Sequence, residues 1–172
     1  MSSTIWISGV TASGKTTLGN SLYKYLLNNN FLFLEFLDGD QIRKNLDRKY
    51  GHNIVERWKV LKKIVEIAKE KNRNGIITII ATVSHKQKMR EYARSEILSF
   101  MEVNLICSPE NAALRDYKGL YDRANTGEFD CFPGISEEFE PSENPELILQ
   151  TDKLDIDECL DILYKKVLSF LK

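Results

Sequence analysis

Residues Gly9-Val10-Thr11-Ala12-Ser13-Gly14-Lys15-Thr16 fill every fixed position of the phosphate-binding pattern GxxxxGK[ST], directly after the apolar run Ile5 to Ile7. Few folds accept such a loop between a strand and a helix. Glycines at both ends let the backbone wrap an anion and aim several N–H groups at it, and the helix that follows presents its positive end. Leu18, Leu22, Tyr25 and Leu26 recur at helical spacing behind the loop, which supplies the context the pattern requires and argues against a glycine-rich turn that binds nothing. The loop implies a nucleoside triphosphate site. Gly9, Ala12, Ser13 and Gly14 surround the phosphates, Lys15 reaches the β- and γ-phosphates, and Thr16 offers its hydroxyl to Mg²⁺. Thr17 is counted with the loop as the next residue of its helix.

A length of 172 residues fits one domain, taken here as 1–172. Lysine and arginine total 24 against 25 acidic residues, and a net charge of −1 gives no bulk attraction to nucleic acid. Cys107, Cys131 and Cys159 have neither metal-site nor redox-motif spacing, so they read as small reduced side chains. The N-terminus enters a strand without a basic-then-apolar leader, and no apolar run approaches the roughly 20 residues of a membrane span. A cytoplasmic protein without membrane contact is the expectation.

Apolar runs at Ile5 to Ile7, Phe31 to Leu37, Ile76 to Ala81 and Val103 to Cys107 alternate with helical patterns. That alternation predicts a three-layer α/β fold, its mainly parallel sheet flanked by helices through right-handed crossovers, and the phosphate loop on its first strand makes it of the P-loop NTPase type. The longest helix is expected over Ile54 to Arg73, with Ile54, Trp58, Leu61, Val65 and Ala68 as its core stripe. A short strand at Leu147 to Gln150 and a helix over Ile156 to Leu171 complete the pattern. Between Lys118 and Pro145 the periodicity gives way to Gly, Pro, Asn and charged residues, which reads as a lid that excludes water from the nucleotides.

Leu37-Asp38-Gly39-Asp40-Gln41-Ile42-Arg43 places two carboxylates and an arginine after the second strand, at the sheet edge where doubly wound folds bind ligands. One carboxylate can orient or deprotonate an attacking hydroxyl while the other supports Mg²⁺ through water. Sequence leaves the division of roles open: Asp38, Asp40 and Lys15 are the catalytic candidates, and Asp38 joins Thr16 as a metal candidate. Arg43 can clamp a phosphate with its planar fork.

Together these residues resemble the adenylyl-sulfate (APS) kinases, which phosphorylate the 3′-hydroxyl of adenosine 5′-phosphosulfate with MgATP. The resemblance runs almost end to end. It includes the loop, Asp38-Gly39-Asp40 with Arg43, Gly51 with Arg57, Ser84, Arg115-Asp116, Lys118-Gly119-Leu120-Tyr121, Gly127-Glu128, Phe132 with Gly134-Ile135, and Asn144-Pro145-Glu146-Leu147. It implies that Arg43 and Arg57 hold the 5′ end of the acceptor, that Ser84 lines its pocket, that Phe132 stacks on its base, and that Lys118 approaches the ATP phosphates. The family's common dimeric state makes a homodimer a candidate.

The chain departs from the family pattern at several points. His52 stands where a base-stacking phenylalanine is usual, Val60 replaces an asparagine, and Lys62-Lys63 replaces an arginine pair. The family's Pro-Tyr-Arg after the serine reads His85-Lys86-Gln87, and a lid arginine reads Asn125, with Arg123 near enough to substitute. Because these departures cluster on the acceptor side, His52, Val60, His85 and Lys86 are acceptor-binding candidates. The resulting expectation is a small-molecule nucleotide kinase with a changed acceptor, cytidine 5′-diphosphoramidate of capsule phosphoramidate biosynthesis being favoured over APS. A regulatory nucleotide-binding protein without an acceptor is the alternative of another class; no Asn-Lys-x-Asp guanine-recognition motif supports it.

Overall fold

The structure is a computed structural model that describes residues 2–172. Its sheet has five strands, β1 (Thr4–Ser8), β2 (Leu34–Asp38), β3 (Ile77–Ala81), β4 (Phe100–Ile106) and β5 (Leu147–Gln150), in the spatial order β2-β3-β1-β4-β5. Every pairing is parallel. β1 and β3 are buried along their whole length, as continuous apolar runs in the middle of a parallel sheet must be. Their polar members are paired: the Thr4 and Thr78 hydroxyls, facing each other across neighbouring strands, lie 2.8 Å apart.

Helices cover both faces. On one, α1 (Lys15–Asn28) and α7 (Ile156–Phe170) pack Leu18, Leu22, Leu26, Leu163 and Val167 against the sheet. On the other, α3 (Ile54–Arg73) and α4 (Gln87–Glu96) bury Val60, Leu61, Ile64, Val65, Met89 and Ala93 around Trp6. α3 and α7 each start at a side-chain cap. Asn53 Oδ1 accepts from the Glu56 N–H at 2.9 Å, and Asp155 with Glu158 forms a reciprocal capping box. Three short helices, α2 (Gly39–Asn45), α5 (Pro109–Leu114) and α6 (Leu120–Asn125), lie at the carboxyl end of the sheet.

Strand and helix positions agree with the sequence pattern, with local differences. β2 begins at Leu34, and Leu32 and Phe33 remain 74% and 73% exposed, because at the sheet edge an apolar residue need not be in the ladder. In α3 the buried stripe includes Val60 and Ile64, whereas Ile54 in the first turn is 37% exposed. The three cysteines are free and buried. Among the described residues no helix is long and apolar enough to cross a membrane.

The connection from β1 leaves toward β2, and the one from β3 leaves toward β4 on the opposite side of the sheet. The loops after these two neighbouring strands therefore separate and open a crevice, the usual ligand position in open α/β sheets.

Candidate functional site

The loop after β1 has the backbone its sequence requires. Gly9 at φ 153° has Ser13 Oγ and the Leu105 carbonyl 2.6 Å and 2.9 Å from where a Cβ would sit, so a side chain is excluded. Ala12 and Gly14 also take positive φ, 60° and 97°. The loop is held from behind, with the Thr151 hydroxyl donating to the Ser13 carbonyl at 3.0 Å and the Tyr121 hydroxyl to the Thr11 carbonyl at 3.0 Å.

Lys15 turns back inside this ring and donates to the Val10 carbonyl at 2.5 Å. Burial lowers its pKa to about 8, against the opposing pull of Asp40 and Asp38. Thr16 Oγ1 donates to Asp38 Oδ2 at 2.7 Å. Asp38 is thus occupied twice, since its other oxygen caps α2 by accepting from the Asp40 and Gln41 N–H groups at 2.9 and 3.3 Å. Asp40 makes no comparable bond through its carboxylate among the described residues.

Two cavities meet at this point. A cleft of about 620 Å³ runs along the phosphate loop and includes Lys15, Thr16, Thr17, Asp38, Lys118 and Thr151. A second cavity, of about 40 Å³, lies among α2, α3 and the loop after β3 and includes Arg43, Arg57, Val60, Ser84 and His85. Asp40, Thr82 and Val83 line both. The larger volume suits a nucleotide, the smaller one end of a ligand.

The smaller cavity is cationic and incompletely paired. Arg43 donates to the Gly51 carbonyl at 2.6 Å, and Arg57 donates to the His52 and Cys131 carbonyls at 2.8 and 2.9 Å. Among the described residues neither guanidinium forms an ion pair with a carboxylate. Burial lowers the pKa of both, and in Arg43 the nearby Arg57 lowers it further. Ser84 sits at φ 43° with its buried hydroxyl unpartnered, and His85 is fully buried with Nδ1 unpartnered. Burial, then Arg57 and Lys86, push the His85 pKa down to about 4, so the ring is neutral at pH 7. An anion with further hydrogen-bonding oxygens would satisfy these groups.

Other residues expected on the acceptor or ATP side lie elsewhere. Lys86 does not line the cavity; its Nζ lies 2.9 Å from Glu137 Oε2 and 3.4 Å from Glu140 Oε1. His52 is exposed and meets Phe129 edge-on at 5.7 Å. Phe132 is 5% exposed, packed edge-on against Tyr121 at 5.1 Å and tilted against Phe129 at 5.6 Å, so its ring belongs to a small core under the 118–145 segment. Arg123 pairs with Glu128 and covers Phe129, away from the phosphate cleft.

Sequence reading missed Thr82 and Val83, which carry no pattern except their place directly after β3. It also missed Arg90, fully buried, which donates to the Ser84 carbonyl at 2.7 Å and to the Glu140 and Pro141 carbonyls at 2.6 and 3.0 Å. A charged residue on the apolar face of a helix was the available signal.

A phosphate loop on the first strand of a five-stranded parallel sheet, followed by paired aspartates and a second cationic cavity, defines a P-loop kinase. The family model for adenylylsulphate kinase matches residues 1–150. A probable adenylyl-sulfate kinase of Archaeoglobus fulgidus is 46% identical over 155 residues, which cover 90% of this chain and 99% of the relative. An adenylyl-sulfate kinase of Halothermothrix orenii is 36% identical over 169 residues, 98% of this chain and 89% of the relative. The solved structure of a Mycobacterium tuberculosis APS kinase in complex with AMPPNP and APS superposes with a TM-score of 0.86 at 27% identity, covering 99% of this chain and 97% of the other. The chain belongs to the adenylylsulphate kinase family and is an ATP-dependent phosphotransferase that acts on a hydroxyl group.

These matches overturn the expectation of cytidine 5′-diphosphoramidate as favoured acceptor, and with it a place in capsule biosynthesis. The physical reason is where the departures lie. His52 contacts Phe129, Lys86 pairs with glutamates, and Lys62 lies over the Tyr92 ring at 5.9 Å. Of the substitutions read as a changed pocket, these are engaged in contacts within the protein, and Val60 and His85 are the ones that line the smaller cavity.

Proposed function

We propose that the protein transfers the γ-phosphoryl group of ATP to the 3′-hydroxyl of adenosine 5′-phosphosulfate. The observation that carries this reading is the meeting of the two cavities at Asp40. ATP occupies the larger cleft, its phosphates wrapped by Gly9, Ala12, Ser13 and Gly14 and touched by Lys15 and Lys118. The acceptor places its 5′ anionic end between Arg43 and Arg57 beside Ser84 and His85, with Val60 as apolar wall. Its ribose then lies at the junction, where Asp40 directs the 3′-hydroxyl in line and accepts its proton.

The residues present fit a magnesium ion. Thr16 and Asp38 bring a hydroxyl and a carboxylate, both hard oxygen donors, together at the phosphate end of the cleft. Mg²⁺ in kinases takes one or two protein groups and completes its shell with phosphates and waters, so no larger acidic cage is needed. Thr16 directly and Asp38 through water would hold it, and when bound it neutralises charge on the β- and γ-phosphates. Asp38 therefore supports the metal and α2, leaving Asp40 for the acceptor. Residues 118–145 act as a lid whose buried aromatic cluster, built on Phe132 and Tyr121, keeps water from the transfer.

The test is coupled ADP release from MgATP with APS, against adenosine 5′-monophosphate as an acceptor lacking the sulfate. Saturable release with APS, with the new phosphate located on the 3′-oxygen by ³¹P NMR, is the expected result. Equal turnover of both nucleotides, or no acceptor-dependent release, rejects the acceptor assignment.

A further inference from the structure

The tripeptide His85-Lys86-Gln87 departs from the family pattern as a block, and all three residues bind the second half of the lid. His85 Nε2 lies 3.8 Å from Cys131 Sγ, and the His85 carbonyl accepts from the Glu140 N–H at 2.8 Å. Lys86 pairs with both Glu137 and Glu140. The Gln87 N–H donates to Glu140 Oε2 at 2.7 Å, and the Gln87 side chain accepts from Arg90 at 2.8 Å. Arg90 closes the set by donating to Ser84 on one side and to Glu140 and Pro141 on the other.

Two segments about 50 residues apart in sequence are thus fastened along their length. The charge pattern is complementary: one cation is received by two carboxylates, each about a third exposed. The Gly134 N–H donates to the Glu137 carbonyl at 2.7 Å, which fixes Glu137 within its own turn. Ser84 and His85, which line the smaller cavity and each carry a buried unpartnered polar atom, are the inner end of the same segment. Any displacement of 137–141 is therefore transmitted to the cavity wall.

We infer that Lys86, with Glu137 and Glu140, is an ionic latch that positions the Ser84–His85 wall of the acceptor cavity against the lid, a positioning role distinct from contact with substrate. This rests on the proposed assignment of the smaller cavity to the acceptor. Each pair is near the surface and individually weak, so the latch is adjustable: loss of both pairs changes the closed population about fivefold. The phosphate loop shares no latch residue, which makes the effect selective for one substrate.

The test compares the full-length wild type with Glu137→Gln/Glu140→Gln, Lys86→Glu, and Lys86→Glu/Glu137→Lys. Steady-state kinetics with MgATP and APS is read alongside amide hydrogen exchange. The glutamine pair is expected to raise the acceptor KM about fivefold with the ATP KM within twofold, and to speed exchange across 134–141 while the phosphate loop is unaffected. Lys86→Glu has the larger effect, and restoring an opposite pair with Glu137→Lys recovers part of it. Unchanged acceptor KM and exchange in Lys86→Glu, or equal rises in both KM values, overturns the latch. Should APS fail as a substrate of the wild type, the acceptor assignment falls, and exchange across 134–141 still decides the latch.

Discussion

The two sides of Asp40 are built in opposite ways. On the donor side, the phosphate loop is a short stretch whose shape is written mostly in its own backbone, with Gly9, Ala12 and Gly14 in positive φ and then a helix, and distant Thr151 and Tyr121 only brace it from behind. On the acceptor side, the cavity is assembled from α2, α3 and the loop after β3, and its order depends on side chains that reach a distant segment. A locally coded site shows in sequence almost residue by residue. A site coded by long-range contacts does not, and substitutions there are easily taken for changes of substrate when they exchange one supporting contact for another.

The largest effect expected from breaking this contrast is at Lys15. Lys15→Ala removes the loop's cation and should lower kcat/KM at least about a hundredfold, checked by coupled ADP release. A variant within tenfold of wild type removes the donor site from the account. Next comes Phe132→Ala. As a nearly fully buried ring it should cost about 3 kcal/mol of stability in urea unfolding, whereas a ring reserved for stacking on substrate would leave stability unmoved. His52→Ala, at an exposed position, serves as the paired control and should cost well under 1 kcal/mol.

Such differences show what could be read from the chain. The parallel sheet flanked by helices follows from the alternating apolar runs, and α3 begins at Ile54 because Asn53 caps it. Lys15, Thr16, Asp38 and Asp40 converge as their spacing implies, since the first two open the helix after the β1 loop and the others lie at the end of β2. Phe132, Arg123 and Lys86 were placed by resemblance alone, and for them the outcome depended on partners such as Tyr121, Glu128 and Glu137, far away or in irregular chain. Periodicity carries no information about such partners. Nor does it find Arg90, whose buried guanidinium joins three segments.

Smaller, and specific to the donor side, is the effect of pH. The nucleotide-free Lys15 has its pKa lowered to about 8, and triphosphate binding favours the charged form. ATP affinity should therefore fall severalfold as pH rises from 8 to 9, with net proton uptake on binding, measured by calorimetry in two buffers of different ionisation heat. The same group's stability contribution has the other sign: between about 8 and the unfolded value of 10.5 the unfolded chain holds more protons, so Lys15's share of stability rises with pH.

Smallest is the acid response of His85. Its folded pKa of about 4 lies below the unfolded 6.5, so the unfolded chain binds more protons in that window, and the protein should lose stability as pH falls through it. His85→Asn should flatten this slope in thermal unfolding without shifting the alkaline behaviour of ATP binding. If both sides of Asp40 respond together, the separation drawn between them is wrong.

The most direct test of the central claim, that the two cavities work on one reaction at Asp40, is single-turnover phosphoryl transfer from MgATP to APS by wild type and Asp40→Asn, with ATP binding measured in parallel. The account predicts transfer at least about a hundredfold slower in the variant with ATP affinity within twofold; unimpaired transfer, or loss of ATP binding in step with transfer, would contradict it.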